Sequence, residues 1–187
     1  MSRVSVHALV LVSLLGAAGC SAPVDPPPDG AAEPAPPLPE HLADIRRPLL
    51  DLHNRERALV KAPPLKWDPA LAVSAASYGP TLAGLGKLEH APLRQRPGQG
   101  ENLWMGTRNA YPVERMFRGW AAEKSIFRRG TFPDVSTTAR WQDVAHYTQV
   151  IWRGTTRVGC AVHQAEKWDY LICRYAPPGN VRGRPVP

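Results

Sequence analysis

The sequence predicts a mixed α+β domain, and two observations carry that reading. Residues Val158 to Tyr175 alternate apolar and polar side chains across a short polar loop, as an antiparallel hairpin does. Upstream, several stretches space their apolar residues for one face of a helix. The hairpin fixes its own register. If Cys160 faces Cys173, then Val162 faces Leu171 and Val158 faces Tyr175, and all six fall on one apolar face. Directly opposed antiparallel residues stand roughly 4.5–5.5 Å apart at Cα, inside the window that a disulfide needs. Closing so short a loop with a Cys160–Cys173 bond contributes on the order of 3 kcal/mol.

Taken in order, residues 1–20 read as an export signal: one arginine, the apolar run Ala8 to Leu15, then Ala17-Ala18-Gly19 before Cys20. The run is too short to span a bilayer as a helix. Its end resembles a bacterial lipobox, in which the cysteine is acylated and becomes the first residue of the mature protein, although Ala17 stands where leucine is usual. An acylated Cys20 anchors the chain to the cell envelope as a lipoprotein, and Ser21 beside it is not the aspartate associated with inner-membrane retention. Ordinary signal cleavage instead leaves a free thiol on a secreted protein. With Cys20 acylated and Cys160 bonded to Cys173, none of the three cysteines is left over. Residues 21–41 are rich in proline and alanine and form an extended spacer. Residues 42–187 have the size of one domain.

Within that domain, Leu49, Leu52, Leu59 and Val60 follow helical spacing from Pro48, and the helix ends before Pro63-Pro64. Asp68 caps a second helix at Pro69, which Pro80 is expected to kink or break. After a loop through His90, Gly98-Gln99-Gly100 turns the chain into a strand at Glu101 to Met105. A third helix starts near Pro112 with the stripe Val113, Met116, Phe117 and Trp120, and the same period puts Glu123 on that face. A carboxylate there is costly unless paired, so Glu123 calls for a partner, with the histidines as candidates. Residues 128–139 read as a polar loop. Ala145 to Trp152 mixes helical and strand character around His146, and Pro177-Pro178-Gly179-Asn180 turns the chain after the hairpin.

The net charge is +7, with arginines scattered singly along the chain. A solvated basic surface favours anionic headgroups or cell-wall polymers. Nucleic acid is not an expected partner, because no basic cluster or binding motif is present.

Together these pieces resemble the CAP superfamily of cysteine-rich secretory proteins, antigen 5 and plant pathogenesis-related proteins, also called the SCP domain. The carriers are Leu52-His53-Asn54 with Arg57, Leu65 to Ala72, His90, Gly100-Glu101-Asn102-Leu103, and Trp120 with Glu123. They continue with His146 to Trp152, Val158 to Ala161 and Cys173 to Asn180. The resemblance spans about 45–182 in the family's order. It implies an α-β-α sandwich with a small antiparallel sheet between helical layers, and a cleft lined by His90, Glu101, Glu123 and His146. Ala145 stands where the family often has glycine, and the additional cysteines of plant and animal members are missing.

Two neutral imidazoles beside carboxylates bind zinc or another divalent cation when their free nitrogens face one point. His90 and His146 are the candidate ligands. Glu101 and Glu123 are their hydrogen-bond partners, and a purely structural role for all four is the simpler alternative. No Gly-x-Ser-x-Gly elbow is present and the cysteines are accounted for. An enzyme reading is thus confined to hydrolysis by water at a His-bound metal, with Glu101 or Glu123 as general base. The sequence favours a binding module for a lipid, sterol or anionic envelope ligand over that enzyme. A surface adhesin displayed on the spacer is a further alternative.

Overall fold

The computed structural model describes residues 44–187. The expected signal segment, the spacer and Cys20 lie outside the described residues. The chain enters through helix α1 (Arg46–Leu59), whose buried positions are Leu49, His53 and Arg57, one turn apart. The sequence had placed Leu59 on the inward face, yet it is 68% exposed. The inner face of α1 is largely polar because His53 and Arg57 find buried partners, described below, which a count of apolar residues does not register.

A two-residue strand, β1 (Lys66–Trp67), leads into helix α2 (Pro69–Leu85). Asp68 accepts hydrogen bonds from the Ala70 and Leu71 amides at 2.9 and 3.3 Å, capping the helix at its start. Of the two outcomes expected at Pro80, a kink or a break, the break does not occur: α2 passes through Pro80 without ending. Pro80 and Ala76 lie on the exposed face of α2, so the hydrogen bond that the missing amide forfeits falls on the solvent side. Tyr78, Gly79 and Leu82 meanwhile hold the opposite face on the sheet. Gly86, with φ of 63°, closes the helix in the left-handed region.

Four strands form the central sheet in the order β1, β4 (Arg157–Gln164), β5 (Trp168–Ala176), β2 (Gly100–Thr107). All pairs are antiparallel except the short β1–β4 pair, which is parallel. The β4–β5 register places Val158 opposite Tyr175, Cys160 opposite Cys173 and Val162 opposite Leu171. Cys160 and Cys173 are joined, with their Cα atoms 4.1 Å apart.

The sheet is buried on both faces, as the resemblance implied. On one side α2 packs over Leu103, Tyr170 and Ile172. Here Gly159 is indispensable, since a Cβ would come within 2.3 Å of the Ala72 amide nitrogen. On the other side α1, α3 (Val113–Ala122) and α4 (Ala145–Ile151) enclose the larger core around Val158, Cys160, Leu171, Cys173 and Tyr175. Residues 128–139 are not the polar loop expected. Strand β3 (Gly130–Thr131) pairs with β6 (Pro185–Val186), and Phe132 and Val135 are buried in the larger core.

Candidate functional site

His90 sits in the loop after α2, and the loop is fixed by groups around it. The Tyr78 hydroxyl donates to the Glu89 carbonyl at 2.9 Å, and Arg96 donates to the Ala91 and Gln99 carbonyls. Glu101, near the start of β2, turns a fully buried carboxylate toward this loop. Its Oε1 accepts from the His90 ring at Nδ1, 2.6 Å away, and from the Ala91 amide at 3.0 Å. Across the β2–β5 ladder, Arg174 lies opposite Glu101, and its Nη2 stands 3.0 Å from Glu101 Oε2. The Arg174 side chain is 1% exposed and lies over the Tyr78 ring. Burial draws its pKa downward, against the opposing pull of Glu101.

A second pair is assembled from different elements by the same rule. After the last turn of α3 the chain tightens into a 3-10 turn, Glu123–Ser125. Glu123 Oε1 accepts from His146 Nδ1 at 2.6 Å, while its Oε2 accepts from the Tyr147 amide at 3.0 Å. The Trp120 indole stacks on the His146 ring, and its Nε1 is anchored on the Leu103 carbonyl. Asn102 donates to the His146 carbonyl at 3.1 Å. Helix α4, which carries His146, interlocks with the turn after β5. Thr148 donates to Asn180 Oδ1 and Asn180 Nδ2 to the Ala145 carbonyl, while Gln149 Oε1 accepts from the Gly179 amide.

His90, Glu101 and His146 line one cleft of about 410 Å³, together with Arg96, Asn102, Trp141, Gln142, Gln149 and Asn180, whereas Glu123, expected in the lining, stands behind the His146 ring that it holds. The carboxylates are the buried partners and the imidazoles the accessible ones: the side chains of His90 and His146 are 56% and 33% exposed. With Nδ1–H donated to a carboxylate, each neutral ring presents Nε2 as a lone pair, and neither Nε2 has a hydrogen-bond partner among the described residues. Among the described residues no three His, Cys, Asp or Glu side chains form a metal-holding group. What the site presents is two imidazoles, each backed by a carboxylate. Arg174 and Arg96 are the site residues that spacing did not single out. An arginine in a strand otherwise buried and largely apolar is the signal that points to the first.

Behind the cleft runs a chain of buried polar groups. Asn102 Nδ2 donates to the Tyr175 hydroxyl, which donates to His53 Nε2, and His53 Nδ1 donates to the Leu49 carbonyl at 2.7 Å. Burial lowers the His53 pKa from 6.5 to about 4, with nearby Arg57 adding to the fall and the Leu49 bond opposing it. The depressed value makes this contribution full above pH 6.5, and it is lost as pH falls toward about 4, because the unfolded chain takes up a proton that the native state refuses. By about pH 5 the loss is roughly 2 kcal/mol. Urea unfolding of wild type and His53→Gln at about pH 7.5 and about pH 5 measures it, and the excess pH dependence of the wild type should vanish in the variant. Tyr147, Trp152 and Tyr170, weighed from the sequence as lining for a lipid site or as core, are all buried.

A sequence profile described as CAP, the cysteine-rich secretory protein family, matches residues 50–175. Pathogenesis-related protein 1C of Nicotiana tabacum is 38% identical over 146 residues, covering 77% of this chain and 82% of its own. Pathogenesis-related protein PR-1 type of Sambucus nigra is 34% identical over 136 residues, covering 72% of this chain and 77% of its own. Among solved structures, the crystal structure of NaASP2 with Zn2+ superposes with a TM-score of 0.64 at 22% identity, over 82% of this chain and 88% of that one. That likeness establishes the shared fold.

Proposed function

The chain belongs to the cysteine-rich secretory protein family, CAP, and on that premise we propose that it is an exported binding module whose cleft takes a divalent cation through Nε2 of His90 and His146. One observation carries the reading: each histidine is held through Nδ1 by a carboxylate, which fixes its tautomer and leaves Nε2 as the donor. Such backing raises the basicity of an imidazole ligand and fixes its orientation. A zinc ion bound there supplies a positive focus for an anionic group. Arg96 and the amides of Asn102, Gln142 and Gln149 set polar groups in the cleft beside Trp141 and Ala145. The guanidinium and the amides suit an anionic group of an envelope ligand, and the Trp141 ring suits an apolar part beside it.

Export rests on the signal-like residues 1–20 and on the family's secretory description. No helix among the described residues is long and apolar enough to cross a membrane. Acylation at Cys20 would place the domain at the membrane surface on its spacer.

Calorimetric titration of the full chain with zinc, in a buffer that does not bind the metal, tests the cleft. The wild type should take up one equivalent. Glu123→Gln should weaken uptake by about 10–100-fold through the loss of ring support, and His90→Ala plus His146→Ala should abolish it. Zinc binding by the double variant as tight as by the wild type would refute the assignment.

A further inference from the structure

On the far side of β2 from Glu101 lies a feature to which the cleft contributes nothing. Strand β2 is an edge of the sheet, and Trp104 projects from its α3 side. The loop after β2 brings Tyr111 to the same place, so that the two rings meet at 79° with centroids 5.3 Å apart. The arrangement is built rather than incidental. A Cβ on Gly106 would come within 2.2 Å of the Trp104 ring and 3.0 Å of the Tyr111 ring, so only glycine lets the indole lie where it does. The loop itself is pinned to the end of the β4–β5 hairpin. The fully buried Asp169 accepts the Asn109 amide at 2.7 Å and Gln164 Nε2 at 2.8 Å, and Gln164 also donates to Asn109 Oδ1.

Arg115 and Arg118, one turn apart on the exposed face of α3, complete the lining of a cavity of about 440 Å³. Neither guanidinium makes a side-chain hydrogen bond or ion pair among the described residues, whereas Arg57, Arg96, Arg157 and Arg174 all do. Two like charges at this spacing repel, and an anion held between them relieves that repulsion.

We propose that Trp104, Tyr111, Arg115 and Arg118 form a second ligand site, for a sugar ring that carries a carboxylate. A pyranose presents a face of C–H groups that packs on an indole and a rim of hydroxyls that stays wet. Its carboxylate suits the bidentate guanidinium fork. The rings offer a floor and a wall at nearly a right angle, not the two parallel faces that would clasp a flat nucleobase. The volume accommodates one or two sugar units. An acidic polysaccharide of a cell envelope repeats this chemistry, and the net charge of +7 draws such a polymer to the surface.

The site is independent of the His90/His146 cleft, and the test keeps the two apart. Tetragalacturonate added to the full chain should quench tryptophan fluorescence saturably, and a neutral galactose tetramer should not. Trp104→Phe should remove the quenching. Arg115→Gln plus Arg118→Gln should weaken binding at least roughly tenfold, while His90→Ala plus His146→Ala and the distant pair Arg182→Gln plus Arg184→Gln leave it unchanged. No saturable response in the wild type would overturn the proposal. So would equal weakening by the distant arginine pair, which would mean a diffuse attraction of polyanions. Loss of binding on removing the two histidines, or preference for uridine monophosphate over the acidic sugar, would overturn it as well.

Discussion

Replacing Glu101 with leucine is expected to destabilise the domain by roughly 3–5 kcal/mol, because it strands a buried cation. Arg174 is 1% exposed, its Nη2 lies 3.0 Å from Glu101, and its Nε and Nη1 have no hydrogen-bond partner among the described residues. The carboxylate is the charge that makes its burial tolerable. Glu101 also holds the His90 ring and the Ala91 amide, so the substitution frees the loop that forms one wall of the cleft. Denaturant unfolding should show a lower midpoint at unchanged slope. The companion Glu101→Leu plus Arg174→Met removes both charges and should recover a large part of the loss, which separates a stranded cation from a simple packing defect. A single-variant loss below about 1 kcal/mol, with no recovery in the double variant, would mean that water reaches Arg174.

Arg57→Leu should cost a comparable amount for the opposite reason: it orphans acceptors rather than a charge. Arg57 is fully buried and spreads its guanidinium over the carbonyls of Pro63 at 2.7 Å, Val150 at 3.0 Å, Trp152 at 2.8 Å and Thr155 at 3.0 Å. Two of those acceptors lie at the C-terminal end of α4, where a helix leaves carbonyls unpaired, so one side chain of α1 closes off the helix that carries His146. Burial and the neighbouring Arg153 bring the Arg57 pKa down to about 10, with Tyr175 opposing. Losing these charge-assisted bonds should cost roughly 3–5 kcal/mol, a melting temperature lower by on the order of ten degrees. Arg57→Lys should recover little, since an ammonium cannot span so wide a fan of acceptors. Scanning calorimetry of the three proteins decides it, and a lysine variant as stable as wild type would show that charge alone suffices.

How much of this was legible in the sequence depended on how local the cause was. The hairpin register followed from alternation because β4 and β5 are neighbours in the chain and bury one face each against the larger core. The Asp68 cap acts over three residues and was equally plain. Pro80 left a kink and a break both open because a proline's effect depends on which face it occupies, and that is set by the sheet beneath α2. Residues 128–139 misled because β3 finds its partner more than fifty residues later, in a ladder of two pairs that leaves no period to read.

At the cleft, helical period alone placed Glu123 on the inner face of α3. The identity of the two histidine–glutamate pairs came from the family resemblance. Arg174 escaped attention because its partner lies on another strand. His53 and Arg57 were quoted among the family's residues, but only the fold shows what they bond to: a tyrosine and four carbonyls distant along the chain or around a turn.

Glu101 and Glu123 each grip both an imidazole and the main-chain amide of the residue immediately after it. A histidine that swings away therefore unhooks its own backbone, and a loosened backbone releases its ring. The amide protons of Ala91 and Tyr147 thus act as built-in gauges, whose exchange with deuterium reports the posture of side chains that carry no slowly exchanging proton of their own.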